Sequence, residues 1–185
     1  MWDILFVGRT CCVAFMAGLR ITITPQFSIS TELMHFSFRL ADVEHSTVSR
    51  APGSSVVTLP ERVWGGVLTP GQRAWLRSVA TEEIRLHARR YLPARLREIA
   101  ATVGARVEGV TVKNLSSRWG SCSTRSHVNL NLWLMLAPTH LIDYVIMHEL
   151  CHLREMNHGP RFWSLVAGCL PDWQRRDQAL DAYSM

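Results

Sequence analysis

Residues 148–158 read HELCHLREMNH, and within them three histidines and a glutamate recur at short intervals. His148 and His152 are four residues apart, so on an α-helix they project from the same side, one turn apart. Two imidazoles at this spacing can bind one metal ion. Glu149 lies about 100° round the helix from His148, where a carboxylate reaches a water on the metal more readily than the metal itself. The stretch therefore predicts a metal site on a helix, with Glu149 placed to reach a water on the metal.

Two residues compete to be the third ligand of this site. Zinc in catalytic sites usually has three protein ligands and one position left for water. Glu155 is on the helix face of His148 but a further turn along, which takes it away from an ion between the first two histidines. His158 precedes the helix-breaking residues 159–160, so the chain can turn there and bring its imidazole back. We therefore expect one zinc ion bound by His148, His152 and His158.

The helix itself is predicted from its flanking residues and its apolar positions. Pro138 and Thr139 are helix-start signals and residues 157–160 are stop signals, which gives a helix of about 18 residues. Its far side is apolar, at Ile142, Ile146, Leu150 and Leu153. A helix covered in this way buries Glu149, and a buried carboxylate without a partner is costly. A water on the metal would remove that difficulty.

The segment HVNLNLWLML, residues 127–136, alternates strictly and predicts a strand. The even-numbered positions are Val or Leu and should face the core. The other face begins with Asn129 and Asn131, as expected of a strand that borders a cleft, and an extended substrate would pair along such a strand. Tyr144, one turn before His148, is a further cleft candidate if it reaches the oxyanion, and a packed core residue if it does not.

The rest of the chain suggests two regions. Residues 51–72 are rich in Gly, Pro and Ser around a short VVTL strand candidate and are interpreted as a connector. This predicts an unassigned N-terminal region, 1–50, and a domain, 51–185, that carries the metal site. Within the latter, a helix should begin at Thr69-Pro70, kink or break at Pro93, and end at Gly104. Residues 107–115 are then a strand and 116–126 a turn-rich loop.

Composition limits the cellular setting and the partners. The five cysteines among the 185 residues contain no C-x-x-C pair, which favours a reducing compartment over a disulfide framework. The apolar run TCCVAFMAGL near the start is too short to cross a bilayer, and no export signal is evident, so we expect a cytoplasmic protein. The formal net charge is +5, with eight Arg against three Glu in residues 73–106. That segment is either a nucleic-acid surface or a solvated helix face.

Four stretches resemble the YgjP-like metallopeptidases, relatives of the SprT and Spartan zinc proteases: SSRWGSCS, HVNLNLWLMLAP, IDYVIMHELCHLREMNHGPRFW and LPDWQRRDQAL. The resemblance runs from about Leu59 to Tyr183, and residues 1–50 depart from the family's β-rich N-terminal region. It implies an α+β zincin-like fold, a mixed sheet with an active-site helix that carries HExxH. It also implies zinc on the three histidines and catalysis by Glu149. The family signature RWGSC, residues 118–122, is expected to anchor a loop.

The sequence thus predicts a zinc-dependent peptidase in which Glu149 takes a proton from a zinc-bound water. Two alternatives stay open at this point. One is a nucleic-acid-associated module with a structural zinc and an Arg-rich binding helix. The other is a zinc hydrolase that acts on a substrate other than a peptide. An open coordination position beside Glu149 favours the peptidase or another hydrolase, since a structural site requires neither.

Overall fold

The structure is a computed structural model that describes residues 23–183. These residues form two compact units, one that ends at His87 and one that begins at Ala88. Strands and helices occur in both units, so the predicted α+β class is confirmed. No helix within the described residues is both long and apolar enough to cross a bilayer. The apolar run TCCVAFMAGL lies outside the described residues.

The first unit contains a four-stranded mixed sheet. Its strands are β1 (Ser28–Ser30), β2 (His35–Ala41), β3 (Thr47–Ala51) and β4 (Ser54–Pro60), in the order β1-β2-β4-β3. Strands β2 and β4 are parallel and the other two pairs are antiparallel. The N-terminal region that the sequence analysis left unassigned therefore contributes strands β1, β2 and β3. It has the β-rich character from which its sequence was expected to depart.

Strand β4 corrects the interpretation of residues 51–72 as a connector. It pairs with β2 on one side and β3 on the other. Val57 and Leu59 are buried in the core with Phe36 and Phe38 of β2. The VVTL stretch in the middle of the segment is part of a buried strand. The Gly and Pro residues around it mark the turns, including Gly53 with a φ of 70°. The division of the chain at residue 51 stays a prediction.

A short helix α1 (Glu61–Trp64) leads to the long helix α2 (Pro70–Thr102). The predicted start of α2 is confirmed by a capping box, in which Thr69 N–H donates to Gln72 Oε1 (2.8 Å) and Gln72 N–H donates to Thr69 Oγ1 (3.2 Å). Its predicted end at Gly104 is also confirmed, since this glycine has a φ of 63°. The helix is not broken at Pro93, because the buried Leu92 and Leu96 keep packing along the same helix.

The second unit holds a three-stranded sheet. Its strands are β5 (Gly109–Lys113), β6 (Gly120–Cys122) and β7 (His127–Asn131), in the order β5-β7-β6. Strand β7 is parallel to β5 and antiparallel to β6. The predicted strand 127–136 is correct only to Asn131, after which Leu132–Leu136 form a 3₁₀ helix. The change occurs because Asn131 Oδ1 accepts a hydrogen bond from Trp133 N–H and caps that helix.

Three helices complete the second unit: α3 (Thr139–Cys151), α4 (Pro160–Cys169) and α5 (Trp173–Asp181). Helix α3 is almost wholly buried, as the sequence predicted, with Ile142 and Ile146 at zero exposure. It has 13 residues instead of about 18. The chain leaves the helix at His152, where short-range backbone bonds, such as Leu153 N–H to Leu150 O (3.1 Å), tighten the final turn.

Candidate metal centre

The three histidines of the HELCHLREMNH stretch converge. His148 Nε2 lies 3.0 Å from His158 Nε2 and 3.3 Å from His152 Nε2. The candidate ligand atoms of all three lie within 4.8 Å of one another. Three imidazole nitrogens at about 2.0–2.1 Å from a tetrahedral zinc would be about 3.3 Å apart, so this spacing fits the ion.

The early end of α3 brings the triad together. His148 is on the helix, His152 is the residue that ends it, and His158 is on the segment before α4. His152 Nδ1 lies 3.1 Å from the backbone carbonyl oxygen of Glu155. When Nδ1 donates its proton there, Nε2 keeps its lone pair on the side of the other two rings. The Glu155 backbone carbonyl therefore orients the His152 ring.

The surroundings keep the imidazoles neutral. His148 and His152 are buried, with 2% and 4% of their surface exposed. Burial, and secondarily the other two rings, holds the pKa of His148 well below its usual value. Burial lowers the pKa of His152 to about 4 and also lowers the pKa of His158. Neutral imidazoles with free lone pairs are the form that binds a metal ion.

Phe162 covers the triad from the core side. It is fully buried and stacks on His152, with ring centroids 4.4 Å apart. Its centroid lies 4.8 Å from that of His148 and 4.7 Å from that of His158. The sequence analysis missed this residue, although the pair Phe162-Trp163, four residues after the third histidine, was an available signal.

Glu149 is buried beside the triad, with 2% of its surface exposed. Its Oε2 has no hydrogen-bond partner among the described residues. Burial raises its pKa to about 8, and the positive charge of Arg118 opposes that rise. The position agrees with the sequence-based expectation of a buried carboxylate that needs a partner beside the metal site.

Strand β6 lies directly against Glu149. A Cβ atom placed on Gly120 would be 2.6 Å from Glu149 Oε1 and 2.8 Å from its Cγ, closer than real Cβ contacts. The RWGSC signature thus places a glycine, Gly120, in the strand where a larger residue would clash with the Glu149 carboxylate. The sequence analysis expected only a loop here and did not anticipate this contact.

Asn131 anchors the loop that leads into β6. Its side chain is fully buried, and Nδ2 donates to the carbonyl oxygens of Leu115 (3.0 Å) and Arg118 (2.8 Å). Its backbone N–H donates to the carbonyl oxygen of Trp119 (2.8 Å). The structure therefore uses Asn131 to hold the loop, not to line a cleft. Arg118 itself is exposed, whereas Trp119 is buried, and the anchoring role expected of the signature stays a prediction.

Asn129 is not brought to the triad. Gly120, which contacts Glu149, pairs in register with Leu130. The Leu130 side chain therefore lies on the face of the sheet that faces α3. Asn129 therefore points to the opposite face of the sheet, where its Nδ2 donates to Ser121 Oγ (3.0 Å). Strand β7 also has a neighbour on each side, so it offers no edge on which a substrate strand could pair.

Tyr144 packs beneath the triad. It has 1% of its surface exposed, and its ring centroid lies 6.1 Å from that of His148. Its hydroxyl donates to Asp177 Oδ1 at 2.8 Å, which ties α3 to α5. Burial and the nearby carboxylates raise its pKa. The arrangement matches the packed alternative weighed from the sequence.

Comparison with known proteins adds a family to this geometry. Residues 30–183 match the profile described as YgjP-like, metallopeptidase domain. The chain belongs to the YgjP-like metallopeptidase family. The match begins well before residue 59, where the sequence resemblance starts, and so takes in strands β2 to β4. The family makes the chain a metal-dependent hydrolase of peptide bonds and implies a zinc cofactor.

Other comparisons give only distant likenesses. No curated protein matches the chain. The crystal structure of the metallopeptidase zymogen abylysin from Pyrococcus abyssi is similar at 18% identity and a TM-score of 0.44, over 48% of this chain and 90% of that one. The zymogen jannalysin from Methanocaldococcus jannaschii is similar at 18% identity and a TM-score of 0.42, over 48% and 92% of the two chains. These values are too low to bear on the function of this chain.

Proposed function

We propose that this metallopeptidase binds a single zinc ion through His148, His152 and His158 and uses Glu149 as the general base in peptide hydrolysis. The observation that carries the proposal is the convergence of three Nε2 atoms beside a buried carboxylate whose Oε2 has no hydrogen-bond partner among the described residues. A histidine triad that served only to fill the core would not account for that carboxylate.

The number of ligands supports a catalytic ion over a structural one. Structural zinc sites almost always have four protein ligands, whereas catalytic sites have three and an open position. The group of candidate metal ligands found among residues 23–183 has three members. No observation on the Arg-rich helix favours the nucleic-acid alternative, and two of its arginines are in ion pairs, Arg85 with Glu82 and Arg95 with Asp143.

In the proposed mechanism, the zinc ion, Glu149 and Gly120 have different roles. Bound zinc supplies Lewis-acid chemistry, which polarises a carbonyl and lowers the pKa of water. Glu149 accepts the proton of the attacking water at Oε2 and then delivers it to the leaving amine. Burial alone raises the pKa of Glu149 to about 8, and a bound zinc ion would lower it again by favouring the ionised carboxylate, which is the form that accepts the proton. The backbone of Gly120 restricts where that carboxylate can move.

The ligand assignment is tested by comparing His158→Ala with Glu155→Ala. We expect His158→Ala to lose zinc, since it removes one of three ligand nitrogens. Glu155→Ala should keep zinc, because the variant retains the backbone carbonyl that contacts His152. Zinc per protein is measured by elemental analysis after gel filtration, together with cleavage of a peptide library. Zinc lost from Glu155→Ala and retained at one equivalent by His158→Ala would make the assignment wrong.

A further inference from the structure

Two stacked indoles lie next to the triad and have no part in the proposed mechanism. The rings of Trp163 and Trp173 are 4.2 Å apart with an interplanar angle of 17°. We call them the tryptophan pair. The centroid of Trp163 lies 5.9 Å from that of His148 and 5.8 Å from that of His158. An aromatic surface therefore begins within one side chain's length of the proposed metal position.

The tryptophan pair is on the accessible side of the triad. Phe162, which contacts all three histidines, is fully buried and closes the inner side. Trp163 and Trp173 are each only half-buried, and so is His158, the most accessible of the three histidines. Exposed indole surface is therefore available beside the triad for a substrate side chain to contact.

The charges near the pair select among possible substrate side chains. Asp172, next to Trp173, is held by Arg176 Nε, which lies 3.0 Å from both carboxylate oxygens. Its negative charge is therefore compensated. Arg161 and Arg175, which flank the two tryptophans in sequence, are exposed. A lysine or arginine side chain would meet local positive charge there, whereas an apolar side chain gains contact area with the indoles.

We propose that the tryptophan pair is a specificity subsite that binds an aromatic or large aliphatic side chain next to the scissile bond. This inference rests on the proposed peptidase function and adds the class of residue that the enzyme selects. The two indoles are stacked face to face and nearly parallel, so each holds the other in place, and binding of an apolar side chain against their exposed surface needs little further ordering.

The first test compares cleavage preferences of the wild type, Trp163→Ala, Trp163→Phe and Trp173→Ala on a peptide library. The wild type should prefer Phe, Tyr, Leu or Met at one position beside the cut. Trp163→Ala should reduce kcat/KM for those peptides by about tenfold or more, mainly through KM, while its zinc content stays unchanged. Trp163→Phe should restore most of the preference. Trp133→Ala is the control, since that indole donates to Asn114 instead.

The second test measures binding without turnover. Zinc-loaded Glu149→Gln protein is titrated with peptides that carry Phe, Leu, Lys or Glu at the preferred position. We expect tighter binding of the Phe and Leu peptides, and loss of this difference when Trp163→Ala is added.

The outcomes separate the two proposals. A zinc-loaded wild type that cleaves no peptide would overturn the peptidase function. An active wild type whose preference is the same in Trp163→Ala and Trp173→Ala, with equal binding of all four peptides, would overturn the subsite alone. A preference for Lys or Arg peptides would also overturn it.

Discussion

Glu149 is the residue at which burial and chemistry conflict most directly. A carboxylate in a nearly closed site is disfavoured in its charged form, and burial raises its pKa to about 8. Without metal, the folded protein thus holds a proton on Glu149 between about pH 4.5 and 8 that the unfolded chain has released. The free energy of unfolding contributed by this group accordingly falls as the pH rises through that range.

This conflict gives a prediction for the metal-free protein. Glu149→Gln should stabilise chelator-treated protein, and by more at pH 8 than at pH 5. We expect the gain to differ by at least about 1 kcal/mol between the two pH values. The histidine pKa values are lowered in both proteins, so their contribution cancels in the comparison. Urea unfolding of both proteins at the two pH values provides the measurement, and a gain that is larger at pH 5 would contradict the assignment.

Gly120 is the second residue with a specific test. Gly120→Ala places a methyl group 2.6 Å from the position of Glu149 Oε1, so the carboxylate must move. Since a displacement near 1 Å can cost about 10² in rate, we expect cleavage to fall by about that factor while zinc is retained. Gly168→Ala is the matched control, because nothing lies within 4 Å of a Cβ added there. Equal activity of the two variants would show that this contact does not position Glu149.

At the residue scale, the sequence predicted what depends on spacing along one helix. His148, His152 and Glu149 fall where four-residue and one-residue intervals place them. The positions expected for Asn129 and Asn131 at a cleft were not found, because alternation along a strand shows which residues share a face but not which face borders the site. Gly120 was also missed, since its contact with Glu149 joins a strand to a helix 29 positions away in sequence.

At the element scale, the polar ends of segments decide where elements stop. Strand β7 ends at Asn131 because this side chain bonds to two loop carbonyls and caps the 3₁₀ helix. Helix α3 ends at Cys151, with His152 as its C-cap, while the hydrophobic pattern continues to Leu153. Periodicity alone predicts longer elements in both cases, because it does not include the hydrogen bonds that end them.

The loop anchor predicts a large effect for a residue outside the metal site. Asn131→Ala should destabilise the protein by about 2–4 kcal/mol, since it leaves the carbonyls of Leu115 and Arg118 without their donor. Asn129→Ala should cost about 1 kcal/mol, because it removes one bond to Ser121. Urea denaturation of both variants gives the comparison. If Asn129→Ala were the more damaging of the two, the anchoring role would be wrong.

At the scale of the whole molecule, all four proposed metal-site and catalytic residues lie in the unit that begins at Ala88. None of the four lies within residues 1–50, which the sequence analysis left unassigned. A chain that begins at Ala51 should therefore still bind zinc. It should nevertheless unfold at a lower urea concentration than the full chain, because β4 loses its partners β2 and β3. Soluble, folded truncated protein without zinc would contradict this prediction.

The central claim is that Glu149 is the general base of a zinc peptidase, and Glu149→Gln in the zinc-loaded protein tests it most directly. The amide keeps the shape of the side chain and leaves all three proposed ligands in place, so zinc content should remain that of the wild type. Cleavage of the best library peptide should fall by about 10² to 10⁴, the usual contribution of a positioned general base. A variant that retains zinc and cleaves at the wild-type rate would contradict the mechanism.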